Sequence, residues 1–274
     1  MKTMVLIELT KSCQKEKIAN NFSKGVKNYL SHSEVQKECA DKLLQIAQNY
    51  RDSIPEGSIL EIGCGTGFVT QGLMKQFPKH FLDIIDISDE MLKFCEKNLQ
   101  ISEQQKKLIQ FRQRDGETIN TDSNSYSAIV SSFTIQWFQD IINSLNRLIN
   151  TLQHQGLLLI AFPNDKSFPE WKKMCYELNL PFTRNELPNT IELIQKLSIP
   201  SHKIYLYEEQ VSMKYKNATD FFRSLKMIGA GCNLKQDKLS NWQMKELINH
   251  WNHNCYPNKI QATYDVTFLG IQLI

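Results

Sequence analysis

The sequence predicts an α/β fold built on a doubly wound, mostly parallel sheet. Three observations carry this. A short apolar, β-rich run, Ser58-Ile59-Leu60, leads into Glu61-Ile62-Gly63-Cys64-Gly65-Thr66-Gly67, and the residues after it, Phe68 to Gln76, take helical spacing. The glycines therefore sit in a tight strand-to-helix turn. Phe81-Leu82-Asp83-Ile84-Ile85-Asp86 reads as a second strand, closed by an acid 19 residues after Gly67. Strand and helix patterns then alternate as far as Leu157 to Phe162, an apolar run of the kind buried on both faces of a parallel sheet.

The elements follow in order. Ile18, Phe22, Val26 and Tyr29 share one helical face within a Lys-rich stretch, residues 10–30. Ser31-His32-Ser33 breaks that helix, and Ser33 with Gln36 reads as a capping box for a second one, about Glu34 to Asn49. Residues 10–50 thus form an N-terminal helical lid. Strands are expected at about 58–62, 81–86, 108–113, 126–131 and 157–162, with helices at 67–76, from Ser88 to Leu99, and from Asp140 to Leu152. Residues 163–200 break the rhythm, holding Pro163, Pro169, Pro181, Pro188 and Pro200 and two amphipathic pieces. They read as a helical insertion or cap after the fifth strand. A long alternating strand, 203–215, an Asn217-capped helix, a helix from Ser240 to His253 and an apolar strand, Tyr264 to Leu273, complete a single domain, residues 1–274.

Composition sets bounds. The chain has 274 residues, 41% hydrophobic, with net charge +3. That suffices for one large domain, and it lacks the dense basic patch of a dedicated nucleic-acid binder. Seven cysteines, at 13, 39, 64, 95, 175, 232 and 255, are scattered with no C-x-x-C. They imply a reduced, cytoplasmic protein without a disulfide framework. Cys64 reads as a small residue in a crowded turn rather than a nucleophile. Met4-Val5-Leu6-Ile7 is cut by Glu8, too short for a signal peptide, and no stretch approaches a membrane span. His250 and His253 stand at i, i+3 without a convincing third ligand, so no metal is expected.

The glycine turn and the later acid point to a nucleotide-like ligand. An acid about 20 residues past such a turn is where ribose hydroxyls are held in open α/β sheets. The spacing is not the dinucleotide G-x-G-x-x-G, which argues against a nicotinamide oxidoreductase. Glu61-x-Gly63-x-Gly65-x-Gly67 instead resembles motif I of class I S-adenosylmethionine (SAM) methyltransferases, with their Rossmann-like, seven-stranded sheet. The resemblance implies SAM as cofactor and S-adenosylhomocysteine as product. It places Glu61, Gly63, Cys64, Gly65 and Gly67 along the methionine and ribose portions, and Asp86 on the ribose hydroxyls. Ile87 and Met91 would cover the adenine, Asp115 and Gly116 would meet its amino group, and Ser132 would lie at the fourth strand end. Gln136 and Trp137 would face the transferred methyl, and Tyr29 of the helical lid would reach the cofactor.

A narrower resemblance is carried by Phe22-Ser23-Lys24 through Tyr29, His32, Val35, Gln36 and Ala40-Asp41; by Leu60 to Phe68; by Ser132 to Trp137; by Leu225-Lys226-Met227-Ile228-Gly229-Ala230; and by Tyr264 to Gly270. These are similar to the malonyl-acyl-carrier-protein O-methyltransferases of biotin synthesis (the BioC family). Ser131-Ser132-Phe133-Thr134-Ile135 departs from that family's usual S-N-x-A-L, and residues 1–17 have no counterpart in it. The resemblance implies methyl-esterification of the free carboxylate of malonyl-acyl carrier protein, or of malonyl-coenzyme A, at the start of pimelate synthesis. Another small carboxylic acid or a quinone precursor is the alternative acceptor. A cation for the carboxylate is expected, with Arg184, Arg223 and Lys226 as candidates. An acidic carrier protein would dock on a basic face, drawn from Lys203, Lys214, Lys216, Arg223 and Lys226 or from Lys11 to Lys27.

Overall fold

Capping side chains fix where most helices start. In the computed structural model, which describes residues 2–119 (side chains from 12 onward), 124–199, 201–234 and 238–274, helices α1 (Lys2–His32) and α2 (Glu34–Gln48) precede the first strand. β1 (Ser58–Ile62), α3 (Phe68–Gln76), β2 (Phe81–Asp86), α4 (Asp89–Asn98), the short α5 (Glu103–Lys106), β3 (Ile109–Gln113), β4 (Tyr126–Ser132), α6 (Ile141–Asn150) and β5 (Leu152–Pro163) follow. Then come α7 (Pro169–Glu177), α8 (Thr190–Lys196), β6 (His202–Tyr215), α9 (Ala218–Met227), α10 (Asn241–Cys255) and β7 (Ile260–Leu273). The Ser88 hydroxyl accepts from the Met91 N–H at 3.1 Å to open α4, and Asn217 accepts from the Asp220 N–H at 2.9 Å to open α9. Ser240 and Gln243 form a reciprocal capping box at α10.

Ser33 departs from expectation. Its side chain makes no capping bond, because its backbone, at φ −110° and ψ 37°, does not take the extended form that aims a hydroxyl at the first helical N–H groups. The buried Ser33 hydroxyl has no partner among the described residues. Helix α5 was invisible to periodicity because four residues hold no apolar pattern; it is defined by its own box between Ser102 and Gln105.

The strands form one seven-stranded sheet in the order β3-β2-β1-β4-β5-β7-β6. The pairs β1–β2, β2–β3, β1–β4 and β4–β5 are parallel. From β1 the chain winds outward through β2 and β3, then returns to β4 on the other side of β1. The strand order therefore reverses between β1 and β4, the place where open α/β sheets bind their ligands beyond the carboxyl ends of the strands. Among the described residues no helix is long and apolar enough to cross a membrane.

By contacts the chain divides into two compact units. The larger comprises Ser33–Phe162, Pro188–Glu208 and Thr267–Ile274. Its core joins Leu60, Ile62, Ile129, Leu158 and Ile160 of the strands to Leu145, Leu148 and Ile149 of α6. The strand positions are buried on both faces, which explains the apolar runs. The other unit comprises Met1–His32, Pro163–Leu187 and Glu209–Val266. Aromatic side chains hold it together: Trp251 of α10, 1% exposed, lies 5.4 Å from Phe221 of α9, and Phe168 lies 4.6 Å from Tyr264. Helix α1 meets the end of α9 backbone to backbone. A Cβ on Gly25 would stand 2.9 Å from the Met227 carbonyl oxygen, and one on Gly229 2.8 Å from Phe22 Cα.

Candidate active site

The strand ends at the switch point carry the polar groups of the larger unit. Gly63, the first residue after β1, adopts φ +75°, which favours glycine, and a Cβ there would lie 2.1 Å from Thr134 Oγ1. The turn thus packs directly against the loop that follows β4. Gly63 N–H donates to the Ile85 carbonyl at 2.8 Å, so the end of β2 fixes the start of the turn.

Asp86, at the end of β2, organises the other side of the turn. Its Oδ2 accepts from the Gly65 N–H at 2.9 Å and its Oδ1 from the Ser88 N–H at 2.8 Å. Burial pushes its carboxyl up to about 6, against the pull of N–H groups of Ser88, Gly65 and Ile87. Glu61, at the penultimate position of β1, is 1% exposed. Burial pushes it up to about 8; Thr70 of α3 opposes the rise and the neighbouring Asp86 adds to it. Cys64 and Cys95 lie together beneath the turn, and their mutual contact, with burial second, pushes the Cys64 thiol up. Met91 is buried at the start of α4, whereas Ile87 is half-exposed.

The remaining strand ends complete the rim. Asp115 accepts from the Glu117 N–H at 3.0 Å and opens a single 3-10 turn, Gly116–Thr118. A Cβ on Gly116 would collide with Ile62 Cγ2, which places the turn after β3 against the end of β1. After β4, Phe133 holds φ +54°, a strained value for an aromatic residue, and its N–H donates to the Ala161 carbonyl at 2.8 Å. Gln136 Nε2 donates to the Phe133 carbonyl at 2.7 Å, and half-buried Trp137 follows in the same short turn.

Glu61 Oε2, Thr66 Oγ1, Ser132 Oγ and Gln136 Oε1 are all closed to solvent and have no partner among the described residues. Each such group costs about 1–3 kcal/mol unless something pairs with it. Glu61 and Thr66 lie at the end of β1 and in the turn after it, Ser132 and Gln136 at the end of β4 and in the loop after it; the Gln136 oxygen can only accept, and Glu61 supplies a carboxyl group. A ligand rich in N–H and O–H donors and bearing positive charge fits this rim. The ammonium, ribose hydroxyls and sulfonium of SAM have that character.

Tyr29, Arg184, Arg223 and Lys226 belong to the other unit. Tyr29 is half-buried on α1. Arg223 is exposed on α9 and pairs with Asp220 at 2.8 Å, and Lys226 is exposed one turn later. Arg184 lies between α7 and α8 with its guanidinium 5.2 Å from the Phe182 ring centre. Thr66, Thr70, Thr134 and the strained Phe133 were not singled out by sequence. Thr66 is a variable position of the glycine motif, and the other three matter only through contacts between separate strand ends.

Comparison with known proteins agrees with this geometry. A family model described as a methyltransferase domain matches residues 59–156, the stretch from β1 into β5. A malonyl-[acyl-carrier protein] O-methyltransferase from Magnetococcus marinus is 31% identical over 215 residues, covering 78% of this chain and 77% of the relative. The chain belongs to the malonyl-[acyl-carrier protein] O-methyltransferase family. A second family member, from Ilyobacter polytropus, is 28% identical and matches 93% of this chain and 96% of its own. Among solved structures, the YcgJ protein of Bacillus subtilis superposes with a TM-score of 0.59 at 15% identity over 85% of this chain and 98% of its own. The plantazolicin methyltransferase BpumL, solved with S-adenosylhomocysteine, gives 0.54 at 17% identity over 98% of this chain and 100% of its own. These last two share the fold of this chain, which is thus the fold of a known methyltransferase.

One prediction arises directly from the glycine turn. Gly63→Ala must leave the left-handed region or displace Thr134, at a cost of about 1–3 kcal/mol. The variant is expected to melt several degrees lower and to bind SAM at least tenfold more weakly by calorimetry. Unchanged binding would separate the turn from the cofactor.

Proposed function

We propose that the chain transfers the methyl group of SAM to the free carboxylate of malonyl-acyl carrier protein, giving its methyl ester. The observation that carries this reading is the set of buried polar atoms, without partners among the described residues, at the ends of β1 and β4 beside the glycine turn, in a chain of this family. Asp86 accepts from the ribose hydroxyls with the lone pairs left over from Gly65 and Ser88. Asp115, with the amides around Gly116, meets the adenine amino group, and Ile87 covers a ring face. Glu61 and the turn of Gly63, Cys64, Gly65 and Gly67 line the methionine portion, and Ser132 lies opposite. Bound SAM supplies an activated methyl group.

The acceptor carboxylate is already ionised at neutral pH, so no general base is required. The protein's contribution is alignment of oxygen, methyl and sulfur, together with exclusion of water. Gln136 and Trp137 are the groups on the acceptor side of β4. Trp137→Ala is expected to lower turnover about 10- to 100-fold, since misalignment alone costs on that scale. SAM affinity should stay within threefold, and equal losses in both would move Trp137 onto the cofactor.

The acidic carrier protein is proposed to dock through exposed cations, with Lys214 and Lys216, at and just after the end of β6, as the first choice. The reading is tested by offering methyl-labelled SAM with malonyl-carrier protein, malonyl-coenzyme A and free malonate. Base-labile label on the carrier protein is the expected result. SAM binding without label on any of the three would reassign the acceptor to another small acid.

A further inference from the structure

We propose that Arg184 anchors a carboxylate-binding seat formed by the loop between α7 and α8. This deepens the proposed function and rests on the reading that a carboxylate is the methyl acceptor.

The seat is built within a single unit. The Arg184 guanidinium lies over Phe182, whose ring meets Trp171 of α7 at 5.1 Å. Trp171 in turn packs on Phe222 at 5.1 Å, so the aromatic floor is continuous with the unit's core. The neighbouring residue pins the loop: Asn185 Nδ2 donates to the Cys232 carbonyl at 2.6 Å, and Asn185 Oδ1 accepts from the Leu234 N–H at 2.9 Å. The backbone that carries Arg184 is therefore fixed before any ligand arrives.

The guanidinium is underused. Nη2 makes one long bond, 3.3 Å, to the Asp165 carbonyl. Nε and Nη1 are closed to solvent and have no acceptor among the described residues. A guanidinium presents two edges that match a carboxylate, Nε with Nη2 and Nη1 with Nη2. Each edge here includes an unpartnered nitrogen. Burial lowers the Arg184 pKa, while the fields of Asp165 and Glu186 raise it, and a guanidinium stays charged throughout the physiological range. The other two candidate cations lack this character: Arg223 is exposed and paired, and Lys226 is exposed. A Trp171 indole N–H that has found only the Cys175 thiol adds a second weakly satisfied donor to the same aromatic floor. A partly buried guanidinium on an aromatic floor, with planar donors, suits a planar, singly charged carboxylate rather than a phosphate.

The test compares malonyl-coenzyme A with acetyl-coenzyme A, which has the same phosphates and no free carboxylate. Binding to the full chain is measured by calorimetry for the wild type, Arg184→Gln and Arg184→Lys, with melting curves and SAM affinity as folding controls. The wild type is expected to prefer the malonyl thioester at least about tenfold, the scale of a charge-assisted hydrogen bond. Arg184→Gln should erase the preference with SAM affinity within threefold, and Arg184→Lys should keep part of it. A preference retained in Arg184→Gln overturns the seat. So does an equal weakening of both thioesters, which would assign Arg184 to a phosphate. If Arg184→Gln does not fold, a full preference in Arg184→Lys overturns the bidentate seat. Failure of the wild type to prefer or methylate malonyl thioesters overturns the acceptor reading itself. A wild type that methylates them, with KM unchanged in Arg184→Gln, overturns the seat alone.

Discussion

Asp86→Ala is expected to weaken SAM binding by at least about a hundredfold, because each hydrogen bond to a charged acceptor contributes about 1.5–3 kcal/mol and, in the proposed reading, two ribose hydroxyls share this carboxylate. The same substitution frees the Gly65 and Ser88 N–H groups, so the turn loosens as well. Asp86→Asn separates the two effects. It keeps the shape and one acceptor but loses the charge. The folded-state pKa of about 6 lies above the ordinary 3.8, so the carboxyl favours folding least once ionised. Its contribution is fully present below about pH 3.8 and lost as pH rises through about 6. At pH 7, Asp86→Asn is therefore expected to melt within a few degrees of the wild type while binding SAM at least tenfold more weakly. Calorimetry beside a melting curve decides the matter. Wild-type affinity in Asp86→Ala would remove Asp86 from the cofactor.

The α/β alternation was legible because burial on both faces of a parallel sheet forces continuous apolar runs, as in Leu157 to Phe162, and leaves helices to mark the crossovers. Caps that rest on one side chain and the N–H three residues later, such as Ser88, Asn217 and Ser240, were equally readable. Ser33 was not, since the same residue pattern caps only when the backbone before the helix is extended. Division of the chain into two units also escaped periodicity. The aromatic cluster of Phe168, Trp171, Phe221 and Trp251 draws on segments far apart in sequence, and no local pattern records that they share a core.

At the candidate site, the glycine turn and Asp86 were visible because chain geometry fixes their separation: one strand, one helix and the next strand. The bond from Gly65 N–H to Asp86 is the physical expression of that spacing. Thr134 had no such signature. It fills the space above Gly63, and what makes it necessary is the absent Cβ of a residue 71 positions earlier. Phe133 is similar: its left-handed backbone turns β4 toward the short helix holding Gln136 and Trp137, and nothing in an aromatic residue announces positive φ. The proposal of Arg184 over Arg223 and Lys226 rests on burial and pairing, which sequence does not specify.

Glu61 gives the second large effect, and its sign follows from charge. In the free protein burial holds its carboxyl up to about 8, so it is mostly protonated at neutral pH. A raised carboxyl pKa favours the fold below the ordinary 4.5 and loses that contribution as pH rises through about 8. Glu61→Gln should therefore be the more stable protein at pH 8, by an amount on the order of a few kcal/mol. Binding reverses the preference. SAM carries a sulfonium and an ammonium, and positive charge beside Glu61 favours its ionised form. Binding then releases a proton, and wild-type affinity is expected to rise about tenfold per pH unit below the free-protein pKa. The amine of SAM titrates in the same range, but identically for both proteins. The measurement is thus the ratio of wild-type to Glu61→Gln affinity at pH 6.5 and 7.5, with the heat of binding taken in two buffers to count protons. A ratio that grows about tenfold, with proton release in the wild type only, is the expected result. Parallel pH profiles for the two proteins would show that Glu61 shapes the turn without carrying charge to the cofactor.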